Sequence, residues 1–128
     1  MKEECVSHKT ALLLKEKGFH WPTCYWTLDN KVYQGTAHGN PIDHNMSQTS
    51  LSVPTQQMAM RWFREEKMIF ISPFPTFKSG PTFKCRLPYS WRVDIKNCFG
   101  EELGGNYEYI TYEDAVEAAL EYCLTNLI

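Results

Sequence analysis

The sequence predicts an α+β fold: an antiparallel sheet of about four or five strands with helices packed on one face, in the order α-β-β-α-β-β-α. Three observations predict it. Residues 54–71 read as an amphipathic helix running directly into a short apolar strand. Residues 89–96 alternate with the period of two that a half-buried strand requires. Residues 111–127 place an apolar stripe at helical spacing behind a capping sequence. Hairpin links, with no long alternating βα series, separate this class from a parallel α/β sheet.

The chain has 128 residues, which suits one domain, 1–128, with a proper core. At 43% hydrophobic and 22% charged residues, its composition excludes a disordered chain. No internal repeat is visible. The first eight residues hold no apolar run, and nothing approaches the roughly 20 apolar residues of a membrane span. The expectation is a cytoplasmic protein without a membrane contact. Five cysteines (Cys5, Cys24, Cys85, Cys98 and Cys123) are dispersed with no Cys-x-x-Cys pair, so reduced thiols are expected rather than a disulfide framework.

The first element is a short helix, with Ser7 as N-cap, Ala11, Leu12 and Leu14 as its buried stripe, and Gly18 in the left-handed position beyond its end. Phe19 is placed to fold back on that cap. Residues 23–28 alternate, Asp29-Asn30 supplies turn chemistry, and residues 31–34 return as a hairpin partner. Residues 35–52 are polar and rich in turn formers, a long loop of the kind that carries function or lacks order.

Thr55 caps the central helix, and Met58, Ala59, Trp62 and Phe63 line one face, with Arg61, Arg64 and Glu65 elsewhere. Residues 68–71 are apolar on both faces, as in an interior strand. Trp62, Phe63, Ile69 and Ile71 should dominate the core, each worth about 1.5–3 kcal/mol on burial. Residues 72–81 contain three prolines and are expected to break the ladder. Residues 82–87 alternate weakly as an edge. Tyr89, Trp91, Val93 and Ile95 point inward, and Arg92, Asp94 and Lys96 outward. A glycine-rich turn leads to residues 107–110, a strand or extended lead-in. The last helix sets Ala115, Val116, Ala119, Leu120, Cys123, Leu124 and Leu127 against an acidic line of Glu113, Glu117 and Glu121.

Several of these residues resemble a family of small uncharacterised proteins from gut bacteria and their prophages or mobile elements. The likeness rests on Pro54-Thr55-Gln56, Trp62-Phe63-Arg64-Glu65, Ile69-Phe70-Ile71 and Tyr112-Glu113-Asp114-Ala115, together with residues 11–19. It covers about half of the chain in pieces. Val53 before the Pro-Thr-Gln, Phe63 where the pattern carries Leu, and the Pro/Phe-rich residues 73–83 depart from it. The resemblance implies a compact domain of mobile-element origin. It implies no activity and transfers no site residue.

Charge is distributed unevenly. Residues 61–98 carry net +5 and residues 99–128 net −7, within a total of −2. The plain expectation is that the acidic end packs near the basic middle. No phosphate-binding loop, nucleophile elbow, His-Glu-x-x-His or dinucleotide fingerprint is present. No catalytic residue is assigned and no cofactor is expected. His38, Asp43 and His44 share the polar loop and have the right chemistry for a metal, though loops of this composition collect such residues by chance. Cys5 with His8 and Cys24 with His20 can be drawn as thiol–imidazole pairs, but no third orienting group accompanies them.

The leading functional expectation is a non-enzymatic interaction module, binding a protein partner or a second copy through an exposed sheet face or edge. Its candidate contacts are Tyr25, Tyr33, Arg61, Arg64, Phe70, Arg92 and Lys96, because aromatic and Arg side chains dominate interface energetics. The competing account closes that sheet face with residues 35–52 and the aromatics of residues 74–83, which makes the aromatics ordinary core. A small hydrolase, or a ligand- or metal-binding domain using the 35–52 loop, is the alternative from another class. Weak nucleic-acid binding through Arg61, Arg64, Arg92 and Lys96 is the third reading, disfavoured because only residues 61–98 offer the basic footprint that phosphates need.

Overall fold

The computed structural model describes residues 4–28, 31–34, 41–46, 50–77, 90–105 and 107–128. Three helices and two three-stranded antiparallel sheets are found among them, in place of the single larger sheet. The α+β class stands, while the order gains a third strand before the central helix and another before the last.

Helix α1 (His8–Glu16) starts as its sequence requires: Ser7 Oγ accepts from the Thr10 amide at 3.2 Å. It ends in a Schellman turn, with Phe19 N donating to Leu14 O at 2.9 Å and Gly18 N to Lys15 O at 3.2 Å. Gly18 adopts φ +90°, and Phe19 returns to the core fully buried. Leu12, expected on the buried stripe, is exposed; Thr10 is buried instead.

The first sheet contains β1 (Tyr25–Leu28), β2 (Lys31–Gln34) and β3 (Ser50–Val53), ordered β2-β1-β3. Strand β3 lies inside the stretch expected to be loop. Its polar alternation concealed it, because both of its faces are covered: Leu51 and Val53 face the core, and Ser52 is buried under the chain that crosses the other side. That crossing follows from topology. Both neighbours of β1 run antiparallel to it, so β2 and β3 are parallel, and their connection must pass from one edge to the other. Residues 41–46, with a 3-10 turn at His44–Met46, lie on this path.

Helix α2 (Gln56–Glu66) is capped by Thr55, whose side chain accepts from Met58 N at 3.2 Å. The helix does not run straight into a strand. Met68 takes φ +55°, and Ile69 N reaches back to Phe63 O at 3.1 Å, so residues 67–69 form a tight corner. Met68 is exposed and Ile69 is buried.

The second sheet has β4 (Phe70–Thr76), β5 (Ser90–Lys96) and β6 (Glu102–Gly105), ordered β4-β5-β6. Several expectations are corrected here. Among the described residues strand β4 is an edge strand, and it runs through two of the prolines. Pro73 pairs with Val93 and Pro75 with Trp91, two residues apart, so their missing N–H groups fall on the same side. An antiparallel residue directs its N–H and C=O the same way, so that side is the one facing away from β5, and the ladder survives. The glycine-rich stretch read as a turn supplies β6, paired to β5 across a bulge at Ile95/Lys96. Residues 107–110 are not a strand. Tyr109 alone bridges Trp91, exchanging hydrogen bonds of 2.8 and 2.9 Å. The expected edge at residues 82–87, and Tyr89, lie outside the described residues.

Helix α3 (Tyr112–Tyr122), capped by Thr111, continues into a π-helical turn at Cys123–Leu127. Ala115, Val116, Ala119, Leu120, Cys123 and Leu124 are buried as expected. The acidic line is partly spent on structure. Glu117 Oε1 accepts from Ser7 N at 2.8 Å, its Oε2 lies 3.2 Å from Gln56 Nε2, and Lys9 Nζ meets Glu121 at 2.6 Å. Thus α3 ties together the starts of α1 and α2. The acidic end meets Lys9 of α1 as well as the basic middle, where Arg92 lies 3.9 Å from Glu108.

Helix α1 packs on β3, α3 on β5 and β4, and the helices on one another, with one hydrophobic cluster running from Leu51 and Val53 through Phe63 to Val93 and Ile95. No helix among the described residues is long and apolar enough to cross a membrane.

Candidate functional site

Strand register separates the two faces of the second sheet. Trp91, Val93 and Ile95 join the core cluster, so the alternate residues Arg92, Asp94 and Lys96 face away from the helices. On β4 the partners of this outer row are Phe74 opposite Arg92, Ser72 opposite Asp94 and Phe70 opposite Lys96. Glu102 of β6 lies across from Lys96. The outer face therefore presents two aromatic rings, two cations and two carboxylates, Asp94 and Glu102, with Glu108 3.9 Å from Arg92. Phe74 is 37% exposed and Phe70 half-buried. Thr76 and Ser90 close its far end with a hydroxyl–hydroxyl hydrogen bond.

Three expected contacts, Phe70, Arg92 and Lys96, thus share one face. The other four lie elsewhere. Tyr25 lies on the helix-facing side of the first sheet with Thr27, level with Val53, and packs against the core. Tyr33 is opposite Trp26 on the other side, and the two rings stack at 4.7 Å. Tyr25 and Tyr33 therefore do not form one surface. Arg61 pairs with Glu65 at 3.0 Å and sits 5.9 Å from the Trp21 ring. Arg61 and Arg64 border a shallow depression with Gln57, Ile71, Pro73 and Tyr112, on the helix side of β4. That is the reverse of the face holding Arg92.

The Trp26 face of the first sheet is covered by the crossing segment. The His44 ring stacks on Trp26 at 5.0 Å and 12°, and the His44 amide donates to Ser52 Oγ at 2.9 Å. Asn45 secures the same segment: its Oδ1 accepts from Ser52 N at 2.8 Å and its Nδ2 donates to Phe19 O at 2.8 Å. On this sheet the covering account of the loop applies. Burial holds the His44 pKa below its usual 6.5, although Asp43 and a hydrogen bond to the Thr23 backbone pull it upward.

Asp43 is occupied as well, accepting from Asn45 N at 2.9 Å and pairing with His20 Nδ1 at 2.9 Å. His20 therefore partners Asp43, where the sequence suggested Cys24. Among the described residues no group of three His, Cys, Asp or Glu is placed to hold a metal ion; His38 lies outside them. Burial pushes the Cys123 thiol up to about 12, which makes it an inert core thiol.

A feature that sequence reasoning missed lies on the core side of the second sheet. Where β6 ends, α3 and β5 leave a cleft of about 310 Å³, floored by Val93, Ile95 and three alanines and rimmed by Tyr107, Tyr109 and Tyr122. Tyr122 Oη donates to Leu103 O at 3.1 Å, which fixes its ring. Burial, with Tyr107 beside it, raises the Tyr109 phenol pKa above its usual 10.0. The available signal was the run of tyrosines around the glycine pair, but its meaning depends on the bulged β5–β6 pairing. Phe74 was missed because the prolines on either side of it argued against a strand.

Comparison with protein families, curated proteins and solved structures gives no match.

Proposed function

We propose that this protein is a non-enzymatic protein-interaction module that binds through the outer face of its second sheet. The observation supporting this most directly is the register that sets Phe70 and Phe74 beside Lys96 and Arg92 on the side away from the helices. Aromatic and Arg side chains supply most of the energy at protein interfaces. Asp94 and Glu102 among the cations give the face both signs of charge, which a second copy related by a two-fold axis can match. The edge of β4 is a poorer contact, because Pro73 and Pro75 remove donors from it. The likeness to small proteins of gut bacteria and their prophages is part of the same proposal, as the origin of the chain.

The test is sedimentation equilibrium across a wide concentration range, with Phe74→Ser and Arg92→Glu compared with the parent. A concentration-dependent mass that both variants abolish, with unchanged circular dichroism, supports self-association through this face. If neither substitution alters self-association or binding to a partner captured by the parent, the outer face is not the interface.

A further inference from the structure

We propose that the cleft between α3 and the β5–β6 pair binds a small organic cation with a quaternary ammonium head, a choline-like molecule without its own anionic group. The inference concerns the opposite side of the second sheet from the protein contact and does not depend on it. Tyr107, Tyr109 and Tyr122 supply three aromatic rings to one cleft, and Glu121 is the charged residue in its lining. Aromatic faces carry negative quadrupole potential and attract ammonium groups, most strongly when the cation is weakly hydrated. A quaternary head meets that condition. Alanine side chains on the floor leave room for methyl groups, and the volume of about 310 Å³ is at the small end of ligand sites.

Charge decides between a cation and a neutral ring. Among the described residues no Lys or Arg lines the cleft, and Glu121 is the one charged side chain that does. Lys9 holds Glu121 Oε1 at 2.6 Å and offsets part of this potential from the rim, with its own side chain 69% exposed. Glu121 has no other side-chain partner among the described residues. The Glu121 carboxylate disfavours a ligand whose ammonium is tied to a phosphate or carboxylate. The site should therefore take choline in preference to phosphocholine or betaine.

The experiment is a titration of the whole chain, followed by tyrosine ring signals in NMR and by calorimetry. The ligands are choline, phosphocholine, betaine and 3,3-dimethylbutan-1-ol, the uncharged carbon analogue of choline. Choline should bind about tenfold more tightly than the carbon analogue, the margin a partly desolvated cation–π contact supplies. Tyr109→Phe should keep most of that affinity, because it keeps the ring, whereas Tyr109→Leu should lose about tenfold. Lys9→Ala should strengthen binding by releasing Glu121, and Glu121→Gln should weaken it. Equal affinity for choline and its carbon analogue overturns the proposal, as does the absence of any choline-dependent shift. Both readings use the parent protein, so they hold even if a variant fails to fold.

Discussion

Replacing Gly105 with alanine should be among the costlier single-methyl additions in this chain. Gly105 has φ +115°, where an L side chain is strained, at about 1–3 kcal/mol. The added Cβ would also overlap the Val93 carbonyl oxygen, a backbone atom of the central strand that cannot swing aside. Forcing β6 away from β5 adds an overpacking cost of about 1–3 kcal/mol. The total of about 2–6 kcal/mol is a large part of the roughly 5–15 kcal/mol that holds a domain together. For a chain of this size it corresponds to a fall in Tm of roughly 7–22 °C. Gly18→Ala is the control. It also has positive φ, at +90°, but its Cβ would meet nothing within 4 Å, so it should lose only about 1–2 kcal/mol. Gly104→Ala meets the Tyr122 ring, 2.8 Å from Cζ, a side chain that can swing aside only by giving up its bond to Leu103 O, so it should cost less than Gly105→Ala, where the clash is with backbone. Thermal and urea melts by far-UV circular dichroism give the ranking. If Gly105→Ala loses no more than Gly18→Ala, the account of the β5–β6 pairing is wrong.

Phe63→Ala should cost about 3–5 kcal/mol in urea unfolding, since Phe63 is fully buried and meets Trp62 edge-on at 5.1 Å; a cost under about 1 kcal/mol would remove it from the core. His44 predicts a pH dependence. Its folded pKa lies below 6.5, so as pH falls below 6.5 the unfolded chain takes up a proton that the folded chain refuses. Stability contributed by neutral His44 is complete above that value and is lost as pH falls through the folded pKa. Urea midpoints measured at stepped pH should show this slope in the parent and a shallower one in His44→Phe, which keeps the ring over Trp26. Replacing Pro73 and Pro75 together with threonine restores two outward donors to the β4 edge, and light scattering should then detect more self-association than in the parent at the same concentration, an excess that Phe74→Ser does not remove.

How legible the fold was depended on the range of the information. Caps and amphipathic stripes are local: Ser7, Thr55 and Thr111 cap as read, Gly18 and Phe19 close α1 as read, and Val93 and Ile95 face inward as read. Each requires only neighbours within a turn or two of the chain. The outer row of Phe70, Arg92 and Lys96 was legible for the same reason, because alternation within each strand assigns the face.

Long-range pairing was not legible. Strand β3 reads as polar loop until the crossing segment covers Ser52, and β4 reads as broken until both prolines are seen on its free edge. Tyr25 and Tyr33 look alike in sequence, yet the register turns one toward the core and the other onto Trp26. The cleft depends wholly on tertiary structure, since its rings come from Tyr107 and Tyr109 before α3 and from Tyr122 near its end. Thus residues 54–71 by themselves determined a helix, its cap and most of its buried face, although Gln56 and Met60 are buried outside the expected stripe and Met58 only in part. The tertiary structure decided that a corner at Met68 delivers an edge strand, with Ile71 toward the helices and Phe70 away from them. The reason is physical: propensity and periodicity act along the chain, whereas the choice of edge, register and covered face is made by the strands and segments that arrive from elsewhere.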